Sequence, residues 1–328
     1  RAIPPSTPFP CEDSVPWGRS PEPPTSVHKL RPGDIDVVAA IGDSLVAGSG
    51  ALEEFALGAF VEYRGVSWCA GGDATWREFL TLPNILKEYN PDIRGYSTGT
   101  GEWLTRNARF NVAFPVASDE DAYKQAKVLA RMRASPDIEI ATDWKMVTVF
   151  IGANDICSAA CINPVSWSPA AHAKKLAKAL DYLQKHLPRT IVNLVPVLVR
   201  VLRPMMCRLM HSLFCSCFHQ GQGGGELEAI VRMSALYQQA EKMLVLLYDH
   251  LCYSQQTFFL SFTINFHIPA ANLLWNNLLE PVGNKSDNVP PILMQSFRCP
   301  TKSAPYFFTA KNSRTFFQTG KQDGDIDL

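Results

Sequence analysis

Along the middle of this chain, short continuous apolar runs take turns with stretches whose apolar residues recur at helical spacing. Ile35-Asp36-Val37-Val38-Ala39-Ala40 is such a run, closing on the turn sequence Ile41-Gly42-Asp43-Ser44-Leu45; it predicts a buried strand. Met146-Val147-Thr148-Val149-Phe150-Ile151 is the clearest strand, closing on Gly152-Ala153-Asn154-Asp155. Between the two, Glu120 to Arg133 sets Ala122, Ala126, Leu129 and Ala130 on one side, the mark of an amphipathic helix. Ser168-Pro169 is a cap followed by proline at the first helical position, which predicts a helix to about His186, before Pro188. Thr190 to Leu198 reads as the next strand. Glu226 to Leu247 reads as a helix with Met233, Leu236, Tyr237, Ala240 and Leu244 at helical spacing. A last short helix is expected over Pro269 to Leu279.

Strands alternating with helices imply an α/β fold, a parallel sheet with helices on both faces. Ligands of such sheets sit at the carboxyl ends of the strands, where the Ser44 and Asn154 turns both fall. Residues 1–34 are rich in proline and are expected to form an extended linker. The folded domain is expected over 35–283, and 284–328 as a tail or inter-repeat linker. No internal repeat is visible within the chain.

Charge narrows the function. Thirty-one basic and 31 acidic side chains balance to zero, leaving no bulk field to gather phosphates, so a nucleic-acid partner is not expected. No charged-then-apolar leader follows Arg1. The most apolar short run, Ile191 to Leu202, is interrupted by Pro196 and Arg200, well short of the roughly 20 apolar residues of a spanning helix. The expectation is a soluble piece cut from a longer precursor. Nine cysteines are many for a cytosolic protein. Cys157 lies close to Cys161, and Cys207, Cys215 and Cys217 cluster near His211 and His219. Those spacings match no standard zinc finger, so oxidised pairs with one cysteine left over are expected, in an extracellular or lumenal domain. The sequon Asn284-Lys285-Ser286 points the same way.

Gly-Asp-Ser-Leu directly after a buried strand presents a hydroxyl to substrate. A hydroxyl needs a base to take its proton before it attacks, and the oxyanion that forms needs donors fixed in advance. The Ser44 amide, a second backbone amide and a side-chain amide such as Asn154 would supply them.

Gly42 to Leu45 and Ile151-Gly152-Ala153-Asn154-Asp155-Ile156-Cys157 resemble the first and third blocks of the GDSL, or SGNH, hydrolases. The chain is most similar to the membrane-associated phospholipase B family, whose ectodomain is built from tandem repeats. Supporting stretches are Pro24 to Pro32, Tyr63 to Trp68, Thr81 to Leu86, Asp143-Trp144-Lys145 and Leu274 to Gly283. The resemblance implies a three-layer α/β/α sandwich, flavodoxin-like, with a parallel sheet of about five strands. It implies Ser44 as nucleophile, with its own amide and the Asn154 side chain as oxyanion donors. His267 would be the general base and Asp155, following the block-three Asn, the triad carboxylate. Substrates would be phospholipids at either acyl position, lysophospholipids, acylglycerols and retinyl esters, taken from a membrane surface. Neither cofactor nor metal is implied. The chain would be a monomeric repeat of a larger protein, held at the apical cell membrane by an anchor outside these residues.

Two positions depart from the family pattern. The oxyanion glycine of the family's Asn-x-Ala-x-x-Gly-Ala stretch is Val116 in Asn111-Val112-Ala113-Phe114-Pro115-Val116-Ala117. A valine amide still donates, but its β-branched side chain is expected to crowd the pocket and to resist positive φ. The Asp that SGNH members place three residues before the His is Ile264, and the segment from Gln256 to His267 is shorter than the family's. A lipid esterase, a catalytically silent lipid-binding repeat and an esterase of other acyl groups are therefore the readings that the structure has to weigh.

Overall fold

The computed structural model of the chain describes residues 3–53, 58, 60–197, 215–219, 226–252 and 258–262. The apolar runs become strands β1 (Ile35–Gly42), β2 (Trp144–Phe150) and β3 (Thr190–Leu194), joined by β4 (Phe258–Phe262). They form a parallel sheet in the order β1-β2-β3-β4. Register is continuous across it: Gly42 pairs with Phe150, Val149 with Leu194, and Leu194 with Phe262. Against an expectation of about five strands, the described sheet has four. Beyond the free edge of β1, isolated parallel bridges tie Val37 to Arg94 and Ala40 to Asn111.

The helices are α1 (Ser44–Ala47), α2 (Leu82–Lys87), α3 (Ala122–Leu129), α4 (Pro169–His186) and α5 (Glu226–Cys252). Because side chains alternate along a strand, β1 serves two cores. Val38 and Ala40 pack with Val46 and Ala47 of α1, with Leu82, Ile85 and Leu86 of α2, and with Trp68 and Trp76. Ala39 and Ile41 pack with Ala126 and Leu129 of α3, Leu176, Leu180 and Leu183 of α4, and Leu244 and Tyr248 of α5. The result is three layers, α/β/α. Ser168 caps α4 by accepting from the Ala171 amide, with Pro169 at its first position. The helix expected over Glu120 to Arg133 is divided. A capping box between Ser118 and Asp121 tightens its start into a 3-10 turn, and a second 3-10 turn covers Ala130–Ala134.

The proline-rich segment, expected as an extended linker, lies against the α2 face. Phe9 meets Trp76 and Tyr89 edge-on, with centroids 5.5 and 5.7 Å apart, and Val27 and Leu30 are buried. The Trp144 indole donates to the Pro24 carbonyl at 2.9 Å. Proline removes donors and fixes φ, which discourages helix and sheet, but it leaves neighbouring side chains free to bury. Disulfides join Cys157 to Cys215 and Cys161 to Cys217, and Cys69 is the free cysteine among the described residues. No helix among these residues is long and apolar enough to cross a membrane. The expected helix at Pro269 to Leu279, the 284–328 tail and the Asn284 sequon lie outside the described residues.

Candidate active site

Ser44 stands at the carboxyl end of β1, and the residues before it fix where. A Cβ on Gly42 would come within 2.4 Å of Val46 Cγ2 and 2.6 Å of the Phe150 carbonyl oxygen, so only glycine lets β1 end this close to β2 and α1. Gln125, from α3, clamps the same peptide, donating to the Gly42 carbonyl and accepting from its amide, both at 2.8 Å. Asp43 caps α1 by accepting from the Leu45 amide at 2.9 Å. Its carboxyl is fully buried, and the loss of solvent pushes it up to about 7. Ser44 itself is half-buried. Among the described residues neither its hydroxyl nor its N–H is taken up by a partner.

Two further loops converge there. Gly42 pairs with Phe150, so the Gly152-to-Asp155 turn that follows β2 lies beside the Ser44 turn. Asn154 Nδ2 donates to the Ala117 carbonyl at 2.8 Å, and the second proton of that amide remains for another acceptor. The segment 111–117 runs along the free edge of β1, where the Phe114 amide donates to the Gly42 carbonyl at 3.4 Å. Val116 in it has φ +63 and is 79 % exposed. The expectation that this side chain crowds a pocket is corrected by that exposure, while the left-handed backbone of a glycine is kept. No acceptor among the described residues takes the Val116 N–H. Ser44, Asn154 and Val116 therefore share one end of the sheet.

Asp155, next in the same turn, is buried. Its carboxylate accepts the Asp119 amide at 3.1 and 3.2 Å. Burial, and then the charge of Asp119, push it up to about 7. Behind it lies a group to which no sequence motif points. His172 is buried, with Nδ1 3.2 Å from Asp119 Oδ2 and Nε2 3.2 Å from Glu241 Oε1, and it stacks on Tyr237 at 4.3 Å. Lys175 donates to Asp119 at 2.8 Å, and Glu241 accepts the Val197 amide at 3.0 Å. Burial disfavours an imidazolium, yet the hydrogen bonds to Asp119 and Glu241 outweigh it and raise His172 to about 9. Burial also pushes the Asp119 carboxyl up, but His172 and Lys175 together hold it below its ordinary range. Burial raises Glu241. The signal for this cluster was present: His172 leads the buried stripe Leu176, Ala179, Leu180, Leu183 of α4, and Glu241 falls between Tyr237 and Leu244 on that of α5. His267 and Ile264 lie outside the described residues.

The model of the GDSL-like lipase/acylhydrolase family matches residues 38–273. The chain is 36% identical to a mouse protein named membrane-associated phospholipase B1, over 94% of this chain and 23% of that protein. It is also 36% identical to the rat protein of that name, over 92% and 23%, and 35% identical to the human one, over 91% and 22%. It spans less than a quarter of the length of these relatives. Among solved structures, phospholipase A1 from Streptomyces albidoflavus NA297 aligns loosely, with a TM-score of 0.26 and 14% identity, over 69% of this chain and 79% of that one.

Proposed function

The chain belongs to the GDSL-like lipase/acylhydrolase family, and on that premise we propose that it is a serine lipid esterase of the phospholipase B kind. The single observation that carries the reading is the meeting of the Gly42–Leu45 block with the Gly152–Asp155 turn at the carboxyl ends of two paired strands. In this proposal the Ser44 hydroxyl attacks the acyl carbonyl and His267 accepts its proton. The Ser44 amide, the Asn154 side chain and the Val116 amide hold the oxyanion. His267 then returns the proton to the leaving alcohol, and water clears the acyl-enzyme by the same steps. Asp155, which follows Asn154 in the same turn, is assigned to orient His267.

Lipid esters, phospholipids among them, are the proposed substrates, taken from the surface of a lipid aggregate. Large exposed apolar side chains (Phe60, Leu104, Val116, Ile162, Val165) suit such a surface. The disulfides that join Cys157 to Cys215 and Cys161 to Cys217 favour an oxidising, extracellular or lumenal setting. A single repeat of a longer membrane-anchored chain at an apical surface fits the share of the relatives that it covers.

A second reading has its own observation. Val116 stands strained where the family pattern has glycine, as in a repeat that keeps the fold without turnover. Hydrolysis of a butyrate ester and of a phosphatidylcholine vesicle, each with chelator present and beside Ser44→Ala, separates the two. The esterase reading expects turnover that falls about 10³-fold or more in Ser44→Ala and about 10²-fold or more in Asn154→Ala. A folded protein no faster than its own Ser44→Ala variant would leave the silent repeat.

A further inference from the structure

The buried cluster behind the Asn154 turn touches both loops that carry the side-chain and Val116 donors. The His172 ring lies against the Gly152 backbone: a Cβ there would stand 2.9 Å from His172 Cε1, and Gly152 itself has φ +123. Any side chain at 152 would displace the ring or the turn. From the same ring, Nδ1 reaches Asp119, whose backbone amide donates to Asp155. Two residues earlier, the Ala117 carbonyl holds Asn154 Nδ2, and Val116 precedes it. On the far side Nε2 reaches Glu241, which also accepts the Val197 amide just past β3. Lys175, one turn along α4 from His172, gives Asp119 its second charged partner and also lies 3.4 Å from Glu120. The ring thus ties four elements to one point: α4, α5, the end of β3 and the 116–119 segment.

Both ring nitrogens are engaged by carboxylates and the side chain has no solvent exposure, so His172 is not a base for substrate. We propose that His172, clamped between Asp119 and Glu241, is a positioning residue that sets the Gly152–Asp155 turn and the 116–119 segment in register, and so aims the Asn154 donor. The proposal rests on the esterase reading above. Its physical content is that buried, fully paired polar groups hold one arrangement, because every alternative leaves a carboxylate or an imidazolium without a partner in a dry interior. A donor displaced by about 1 Å costs as much as 10²-fold in rate.

The test compares wild type, His172→Gln, Glu241→Gln, Asn154→Ala and the His172→Gln/Asn154→Ala double variant. Folding is checked by circular dichroism, and steady-state kinetics are read on the butyrate ester. His172→Gln is expected to lower kcat about 10- to 100-fold with KM moved less than about threefold. Glu241→Gln, which keeps a hydrogen bond but removes its charge, is expected to lower kcat by less. In the Asn154→Ala background His172→Gln is expected to cost less than about threefold more, because the donor that it aims is already gone. Independent multiplication of the two losses, or a folded His172→Gln variant with wild-type kcat, overturns the proposal. Hydrogen exchange supplies a readout that needs no turnover: faster exchange confined to peptides covering 116–121 and 152–160, with 35–42 unchanged, is expected in both His172→Gln and Glu241→Gln. Should wild type prove no faster than Ser44→Ala, the esterase reading fails by itself, and positioning is decided by exchange alone. Should His172→Gln not fold, Glu241→Gln decides it, and unchanged exchange in those two segments overturns it.

Discussion

Val116 shows how a glycine-like backbone angle can persist where the side chain argues against it. A left-handed backbone costs an L-residue about 1–2 kcal/mol, and its φ of +63 is imposed by the surrounding loop. Phe114 is bonded to Gly42 and Ala117 to Asn154 on either side, so the chain has little freedom to escape that conformation. From the sequence, the Val in place of the family's glycine was visible, whereas the retained glycine-like backbone was not, since it depends on contacts tens of residues apart. Val116→Gly removes the strain and gives back about 0.5–1 kcal/mol of unfolded-state entropy. Its net effect is therefore a gain of about 0 to 1.5 kcal/mol, read as an unchanged or slightly raised melting temperature, with kcat unchanged or raised several-fold. A melting temperature lowered by several degrees would mean that Val116 makes contacts worth more than its strain. His172 teaches the converse lesson. A histidine on a buried helix stripe is visible in the sequence, but its two carboxylate partners come from residues 53 and 69 positions away.

Among the elements, those whose signal was local were legible. The Met146-to-Phe150 run of β2, the start of β3 at Thr190 and the Ser168-Pro169 start of α4 fall where pattern and capping chemistry set them, although β3 ends at Leu194 rather than Leu198. The 3-10 turns around α3 were not, because the Ser118–Asp121 box competes locally with a helix that the apolar spacing alone would extend. The short helix α1 raises a question that belongs to this scale, since its cap is a buried carboxyl. Asp43 is raised from 3.8 to about 7 by burial, so the folded chain binds this proton more tightly than the unfolded one. Its contribution is fully present below about pH 3.8 and is lost as pH rises through 7. Asp155, at about 7, acts in the same direction, and His172 loses its contribution between 6.5 and about 9. Stability is therefore expected to fall from pH 4 to pH 8, above which Lys145, lowered to about 8 by burial, acts in the opposite direction. Asp43→Asn keeps a capping oxygen while removing the charge, and should flatten this fall between pH 4 and 8, with a gain at pH 8 of at most about 4 kcal/mol. Thermal melts at pH 4, 6 and 8 check it; superimposable profiles for variant and wild type would sink the claim.

At the scale of the whole molecule, the α/β/α layering follows from the alternation of strands and helices, but where the domain begins does not. Proline content marked residues 1–34 as a linker, yet Phe9, Val27 and Leu30 enter the same core as α2, and Trp144 of β2 depends on Pro24 for its hydrogen bond. Proline density reports which backbone conformations are open to a segment and says nothing of what its other side chains bury against. Fully burying side chains of this size stabilises by about 1.5–3 kcal/mol each, so the three together contribute about 5–9 kcal/mol. That rivals the entire stability of a typical domain, about 5–15 kcal/mol. A chain starting at residue 32 is thus expected to lose cooperative unfolding altogether, with near-ultraviolet circular dichroism lost and an apolar dye bound, while far-ultraviolet signal largely survives. Phe9→Ala, which opens one cavity beside Trp76 and Tyr89, should cost about 3–5 kcal/mol and leave a folded protein. Since Ser44 follows β1, which packs on this segment along its α2 face, the esterase proposal adds that the truncated chain should lose the labelling of Ser44 by a fluorophosphonate that it expects of the full chain. A truncated chain that melts cooperatively near the wild-type temperature would make the segment a linker after all.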